Sequence, residues 1–524
     1  MWAAVLLAAA GADADTPFRN LSGTVPLPTP QHIAYHHAEL GVLISSGMGA
    51  SMGVESSPCV DHKPYPLAPD PPPATRYDGT PDPEQWVLAA KALGAKYATL
   101  VSSEMFGFSL WPSAHSNYTV AHSACKLEPP CDVLGAFVAA CKKHGLRPGV
   151  FYSVHFNDHM SMCGFHVAPP ALCKPDPPAK LCPTQAEYDA YALAQLKELA
   201  TAHGEVMTEL WFDGGISASI MPALRAELPQ LFPQAVCHSC VPGETDTPKP
   251  GDALFRGVRW AAPSEAAHVP YPQWAGSVGC SQETADMGGS PTAPDCKQPS
   301  SWLSPRSSLS RSRFTDCPAS GDTVLRQHCW YGSQPNCPES TIKPTAQSLQ
   351  EYVDSVGVGA NMIIAVAPNS SGLVPAADMA AYTALGAAIA SLNASLLTIA
   401  PAAALASPCG AEGCVVQWRS RFGVAFALIK GTVELREGIE GGQRIADYSV
   451  DVRTTGGWRT VVSGVTVGHR RLQPFSLDAA LHVSAVRVVI GASYGTPSLL
   501  YAAIHAAGAW HDALRSESER KLEE

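Results

Sequence analysis

The sequence predicts an α/β protein: a (β/α)8 TIM-like barrel followed by a C-terminal antiparallel β-sandwich. Three observations carry this prediction. From about residue 40, short apolar runs alternate with capped helical segments, as in parallel β/α units. These units, with long insertions between them, spread over roughly 350 residues, which fits eight barrel units better than a small doubly wound sheet. Beyond an alanine-rich stretch the texture changes to short β-rich runs separated by Gly-rich turns, the pattern of a sandwich.

In chain order, Gly41 to Ser45, Tyr97 to Val101, Gly149 to Ser153 and Glu209 to Asp213 read as strands, and Asn361 to Ala367 reads the same way. Their hydrophobicity is continuous rather than alternating, so both faces are expected to be buried. Asp82 followed by Pro83 opens a helix that closes at Gly94, Cys131 to Gly145 supplies another, and Thr184 with Glu187 forms a capping box for one ending at Gly204. Ser290 to Pro344, rich in Ser, Pro and Cys, reads as loops pinned by disulfides. Thr383 to Ala406 is uncharged over the length of a membrane span. Its alanine content, Pro401, a glycosylation sequon at Asn393 and the missing basic flank favour a buried helix running into an interdomain linker. Cys414 to Trp418, Val450 to Arg453, Trp458 to Val462 and Val486 to Ile490 are the expected sandwich strands, and Ser516 to Glu524 reads as a fraying charged tail.

Only 15% of residues are charged and 46% are hydrophobic, so most of the chain is expected to pack. The formal charge of −11 disfavours a nucleic-acid binder, which needs clustered Lys and Arg. The first 14 residues form an apolar run ending in small residues, the form of a signal peptide. Sequons at Asn20, Asn117, Asn369 and Asn393 and an even 16 cysteines agree with an oxidising compartment. The expected location is therefore secreted, or the lumen of the endomembrane system (lysosome or vacuole). Cys409 and Cys414 flank a Gly-containing turn suited to a local bridge; Cys237 to Cys240 has CxxC spacing but no second pair beside it.

Among chemistry-bearing features the sharpest is Glu209-Leu210-Trp211-Phe212-Asp213, where a carboxylate ends an apolar strand and two glycines follow. In a barrel that position faces the catalytic mouth, although a capping or turn Asp reads the same. Trp211 shares the strand face of Asp213 and is either a sugar shelf or core. Glu265 lies in the loop after the strand-like Phe255 to Trp260 and reads as a solvated carboxylate or as the partner of Asp213. A pair of carboxylates is what glycoside hydrolysis needs, about 5–5.5 Å apart in a covalent retaining mechanism. Gly491 to Gly495 matches GxSxG, but Pro497 and the short remaining chain make it a turn of the sandwich. His36-His37 has no metal-type partner at suitable spacing, and there is no HExxH, P-loop or GxGxxG, so no metal or organic cofactor is expected.

Several segments together resemble the retaining α-L-fucosidases of glycoside hydrolase family 29, especially the plant-type branch acting on α-1,3/1,4-linked fucose. They are Pro26 to Pro30, Gly107 to Ser113 with His115 to Val120, Leu210 to Gly214, Val258 to Trp260 leading to Glu265, Ala367 to Leu373, Gly442 to Val450 and Val462 to Leu472. The resemblance implies that Asp213 is the nucleophile and Glu265 the acid/base, and it aligns Glu55 with a sugar-contacting Glu. Trp111, inside the second segment, joins Glu55, Glu104, His155 and Trp211 as a substrate-binding candidate. The sequence also departs from the family. The first-strand motif ends in serine at Ser45 where the family has a fucose-contacting His, and the second-strand signature K-H-H-D-G-F appears as Ser103-Glu104-Met105-Phe106-Gly107-Phe108, without its histidines. Glu104 can accept from two sugar hydroxyls and His155 lies just past the third strand, so both are candidates to compensate, with His37 and His115 behind them.

The expected division is a signal peptide over 1–14, a catalytic domain over 15–395, a galactose-binding, discoidin-like sandwich over 396–510 and a tail over 511–524. The expected function is removal of terminal fucose from a fucosylated oligosaccharide or glycoprotein glycan by double displacement. Two alternatives stay open: a catalytically silent carbohydrate-binding homologue, and a glycosidase with altered sugar specificity.

Overall fold

The computed structural model describes residues 18–20, 30–54, 71–127, 131–212, 216–238, 319–394, 396–400 and 414–506 apart from some single positions and short loops, together with the backbone of residues 264–265. Helices α1 (Pro30–His36) and α2 (Met48–Met52) flank the first barrel strand, β1 (Leu40–Ile44). The remaining barrel strands are β2 (Tyr97–Ser103), β3 (Arg147–Tyr152), β4 (Glu209–Trp211), β5 (Val236–His238), β6 (Ser264–Glu265), β7 (Ala319–Val324) and β8 (Asn361–Val366). All pair in parallel, and β8 pairs with β1, so the sheet follows chain order around a barrel; among the described residues no ladder joins β5 to β6.

The helices between strands are α3 (Pro83–Leu93), α4 (Val133–His144), α5 (Gln185–His203), α6 (Met221–Leu231), α7 (Thr345–Ser355) and α8 (Ala376–Ala394). Their ends follow the sequence. The Asp82 carboxylate accepts from Gln85 N, Gly94 closes α3 in the left-handed region, and Thr184 and Glu187 cap each other reciprocally.

Strand alternation separates two apolar layers. Val42, Ile44, Ala98, Leu100, Val150, Leu210, Phe212 and Ile364 pack outward in the core shared with the helices. Leu43, Tyr97, Val101, Phe151, Trp211, Val236, Val324 and Ile363 fill the interior.

Leu396 to Ala400, which the sequence assigns to a helix and linker, is instead strand β9, because α8 stops at Ala394 and this β-branched run pairs with the chain's last strand. The remaining strands are β10 (Cys414–Arg419), β11 (Phe426–Glu437), β12 (Ile445–Thr454), β13 (Gly457–Gly464), β14 (Arg471–Val483), β15 (Ala485–Ser493) and β16 (Leu499–Ala506). One sheet contains β10, β15, β12 and β13 with the short parallel strand Arg19–Asn20; the other runs β9-β16-β11-β14. Val433, Leu435, Tyr448, Val450, Val488 and Ile504 form their shared core.

A buried charge cluster ties the sandwich to the barrel's foot. Arg470 donates to Glu39 at 2.7 Å and to Asn393 Oδ1 at 2.7 Å, and its Nε lies 3.0 Å from Glu434. Hydrogen bonding from His469, with Arg470 and Arg436 nearby, outweighs burial and holds the Glu39 carboxyl down at about 2.

Candidate active site

The C-terminal strand ends define the barrel mouth. At the end of β2, Glu104 is 2% exposed, and its Oε1 accepts from Gly49 N at 2.6 Å. Met48 N and the Tyr331 hydroxyl also donate to this carboxylate. Glu104 thus joins the loops after β1, β2 and β7. Burial outweighs these bonds and pushes its carboxyl up to about 7. A Cβ at Gly47 or Gly49 would sit 2.8 Å from a Glu104 oxygen, so the glycines make this approach possible.

His155, beyond β3, is buried, its ring centroid lies 4.0 Å from that of Phe156, and burial lowers it to about 4, so it is neutral near pH 7. On β4, Glu209 and Trp211 are interior while Leu210 and Phe212 pack outward. The Trp211 indole lies flat on His238, with ring centroids 4.6 Å apart and planes at 16°. Trp211 is 3% exposed, and its Nε1 meets no acceptor among the described residues.

The other sequence candidates are more scattered. Asp213 and Glu55 lie outside the described residues, as do Cys409 and the strand expected over Phe255 to Trp260. Glu265, expected in a mouth loop, is in strand β6; its backbone pairs with Ser320, which pairs with Asn361, so it is level with the starts of β7 and β8. Trp111 packs in the outer core and donates from Nε1 to Glu198 on α5 at 2.8 Å, which fixes the loop after β2 to that helix. His37 stands at the foot, 4.8 Å from the His469 ring, whereas His115 is exposed on the loop after β2. Cys237 is disulfide-bonded and so is not a zinc ligand, and bridges Cys125–Cys131, Cys173–Cys182 and Cys329–Cys337 pin other loops. Ser493, expected in a turn, is instead the last residue of β15, where it is buried and donates to Arg444 O, so GxSxG is the end of a sandwich strand. No group of His, Cys, Asp and Glu suited to a metal occurs among the described residues.

Sequence reasoning passed over Tyr331 and the pair Glu209 and His238. Tyr331 falls in a cysteine-rich loop without periodicity, whereas Glu209 had a signal, being a carboxylate at the start of a buried strand. A cavity of about 360 Å3 lined by Arg147, Thr208, Glu209 and Gln234 opens at the N-terminal strand ends, opposite the mouth.

The profile of the family described as Alpha-L-fucosidase matches residues 77–247, which span β2 to β5. Alpha-L-fucosidase 1 of Arabidopsis thaliana is 25% identical over 427 residues, covering 75% of this chain and 72% of its own. An Oryza sativa subsp. japonica protein named for alpha-L-fucosidase 1 is 27% identical over 425 residues, covering 75% and 71%. Over this part of the chain the similarity is to the α-L-fucosidases of glycoside hydrolase family 29. Family 29 structures share its fold. One from Bacteroides thetaiotaomicron named for alpha-L-fucosidase superposes with a TM-score of 0.67 at 23% identity, covering 92% of this chain and all (100%) of that one. The Ruminococcus gnavus GH29 fucosidase in complex with fucose gives 0.60 at 15% identity, covering 94% and 98%. Against the family 29 pattern, this mouth has Glu104 tied to three loops where the second-strand histidines are missing.

Proposed function

We propose that this protein is a retaining α-L-fucosidase that removes terminal fucose from glycans, with Asp213 as nucleophile and Glu265 as acid/base. The observation carrying the reading is the family 29 profile matched across the segment that holds Leu210 to Gly214. The alternation of β4 supports Asp213: Glu209 and Trp211 are interior, and residue 213 has the same parity. Asp213 attacks the anomeric carbon as the bond to the leaving oxygen breaks, and Glu265 gives that oxygen its proton. Glu265 then takes a proton from water, whose oxygen displaces Asp213 and restores the original configuration. The assignment of Glu265 rests on its place after Arg259-Trp260; the register of β6 gives it no separate support.

Trp211, His155 and Glu104 are proposed to line the sugar site, with Glu55 assigned by the resemblance. Trp111 is left out because its indole is fixed on Glu198. A second reading, a changed sugar preference, is favoured by Glu104 itself. A carboxylate already accepting from Gly49, Met48 and Tyr331 has little capacity left for sugar hydroxyls.

Secretion, or residence in an endomembrane lumen, is supported by the disulfides and by exposure of the sequon residues Asn20, Asn117 and Asn393. No helix among the described residues is long and apolar enough to cross a membrane.

The test is sugar release from an α-1,3/1,4-fucosylated oligosaccharide by the wild type and Asp213→Ala, alongside a panel of other α- and β-glycosides. Fucose released in the α configuration and lost in the variant supports the reading. Release of another sugar favours the second reading, and binding without release from any glycoside overturns both.

A further inference from the structure

Beneath Trp211, the barrel interior holds a polar chain where apolar packing is the rule. Glu209 Oε1 accepts from His238 Nε2 at 2.5 Å, and Thr99 donates to its other oxygen. The Tyr35 hydroxyl lies 3.2 Å from His238 Nε2 and accepts from Tyr97 at 3.2 Å; Tyr97 in turn accepts from Asn361. All six residues are no more than 3% exposed.

Two wall glycines make room for this chain. A Cβ on Gly149 would lie 2.4 Å from Thr99 Oγ1 and 2.8 Å from Glu209 Cβ, and one on Gly41 would enter the Tyr97 ring at 2.2 Å.

The chain ends on the strand that leads to Asp213, through two contacts of one residue. The His238 ring lies against the Trp211 indole, and the His238 carbonyl accepts from Phe212 N at 3.1 Å. We infer that Glu209 and His238 are positioning residues that fix the plane of Trp211 and the end of β4, and thereby the approach of Asp213 to the anomeric carbon. This inference rests on the reading of Asp213 as nucleophile. The Glu209 carboxylate sets the imidazole's rotation, the imidazole face sets the indole, and the adjoining peptide is held by the same residue's carbonyl. Displacement of a reacting group by about 1 Å lowers turnover on the order of a hundredfold.

The experiment uses the full-length glycosylated protein and the variants Glu209→Gln, His238→Phe and Thr99→Val. The last removes only one bond to Glu209 and serves should the others fold poorly. Kinetics on 4-nitrophenyl α-L-fucoside are read beside the Trp211 indole N–H resonance, picked out from the 11 tryptophans by Trp211→Phe. Positioning predicts that kcat falls about ten- to a hundredfold in Glu209→Gln and His238→Phe, with a smaller fall in Thr99→Val. KM should change far less, and the indole resonance should move in all three. An unmoved resonance, or a moved one with wild-type kcat, overturns the inference and leaves the glycosidase reading standing. A wild type inactive on every glycoside removes the glycosidase reading and this inference with it.

Discussion

Glu104→Gln tests the most unusual group at the mouth. Wild-type Glu104 is buried, and its carboxyl is pushed from 4.5 up to about 7, so folding favours its protonated form. The stability contributed by that form is fully present below pH 4.5 and is lost as pH rises through about 7. A shift from 4.5 to about 7 corresponds to roughly 3 kcal/mol at 1.36 kcal/mol per unit. An unfolding entropy of about 2.1 cal/mol/K per residue over 524 residues converts this to about 3 °C in Tm. Glutamine has the same shape and does not titrate, so the Tm difference between variant and wild type should move about 3 °C in the variant's favour from pH 4 to pH 8. Glu437, also pushed up to about 7 by burial, affects both proteins alike and cancels in the difference. Differential scanning fluorimetry at half-unit pH steps measures it. Parallel Tm curves for the two proteins across this range would refute the argument that Glu104 crosses protonation states inside the fold.

Glu265→Gln should slow hydrolysis of natural glycans by about a hundredfold or more while sparing aryl fucosides, whose leaving groups need no proton; equal losses on both substrates would count against the acid role. Glu39→Ala should lower stability by about 1.5–3 kcal/mol by removing one of the two carboxylates that face buried Arg470, measured as Tm at pH 7. Measured as the difference from Glu39→Gln, the stability from Glu39, whose carboxyl sits at about 2, should persist above pH 4.5 and fade as pH falls toward 2, while Glu434, also held down at about 2, acts alike in both proteins. Thr184→Ala should reduce stability by about 1 kcal/mol through loss of the α5 cap, with unchanged kcat.

Much of the barrel was legible in the chain because its signals are local. Continuous apolar runs such as Tyr97 to Val101 and Asn361 to Val366 became buried strands, and Asp82, Gly94 and the Thr184-Glu187 box marked helix ends through contacts spanning one turn. Leu396 to Ala400 was misread because alanine on both sides extends a helical texture, whereas pairing with β16, a partner about a hundred residues away, makes it a strand. The sequence by itself determined five of the barrel strands, the ends of three helices, the sandwich texture and, through Leu210 to Gly214, the resemblance to the α-L-fucosidases.

Only the tertiary structure decided how polar side chains are used, since that depends on partners distant in sequence. It gave Glu104 donors on Gly49 and Tyr331, and it set the Trp111 indole on Glu198. It also brought Glu209, His238, Thr99 and Tyr35 together inside the barrel, from segments that carry no shared motif. A buried carboxylate must find donors, and which donors reach it is fixed by the closing of the sheet rather than by neighbours along the chain.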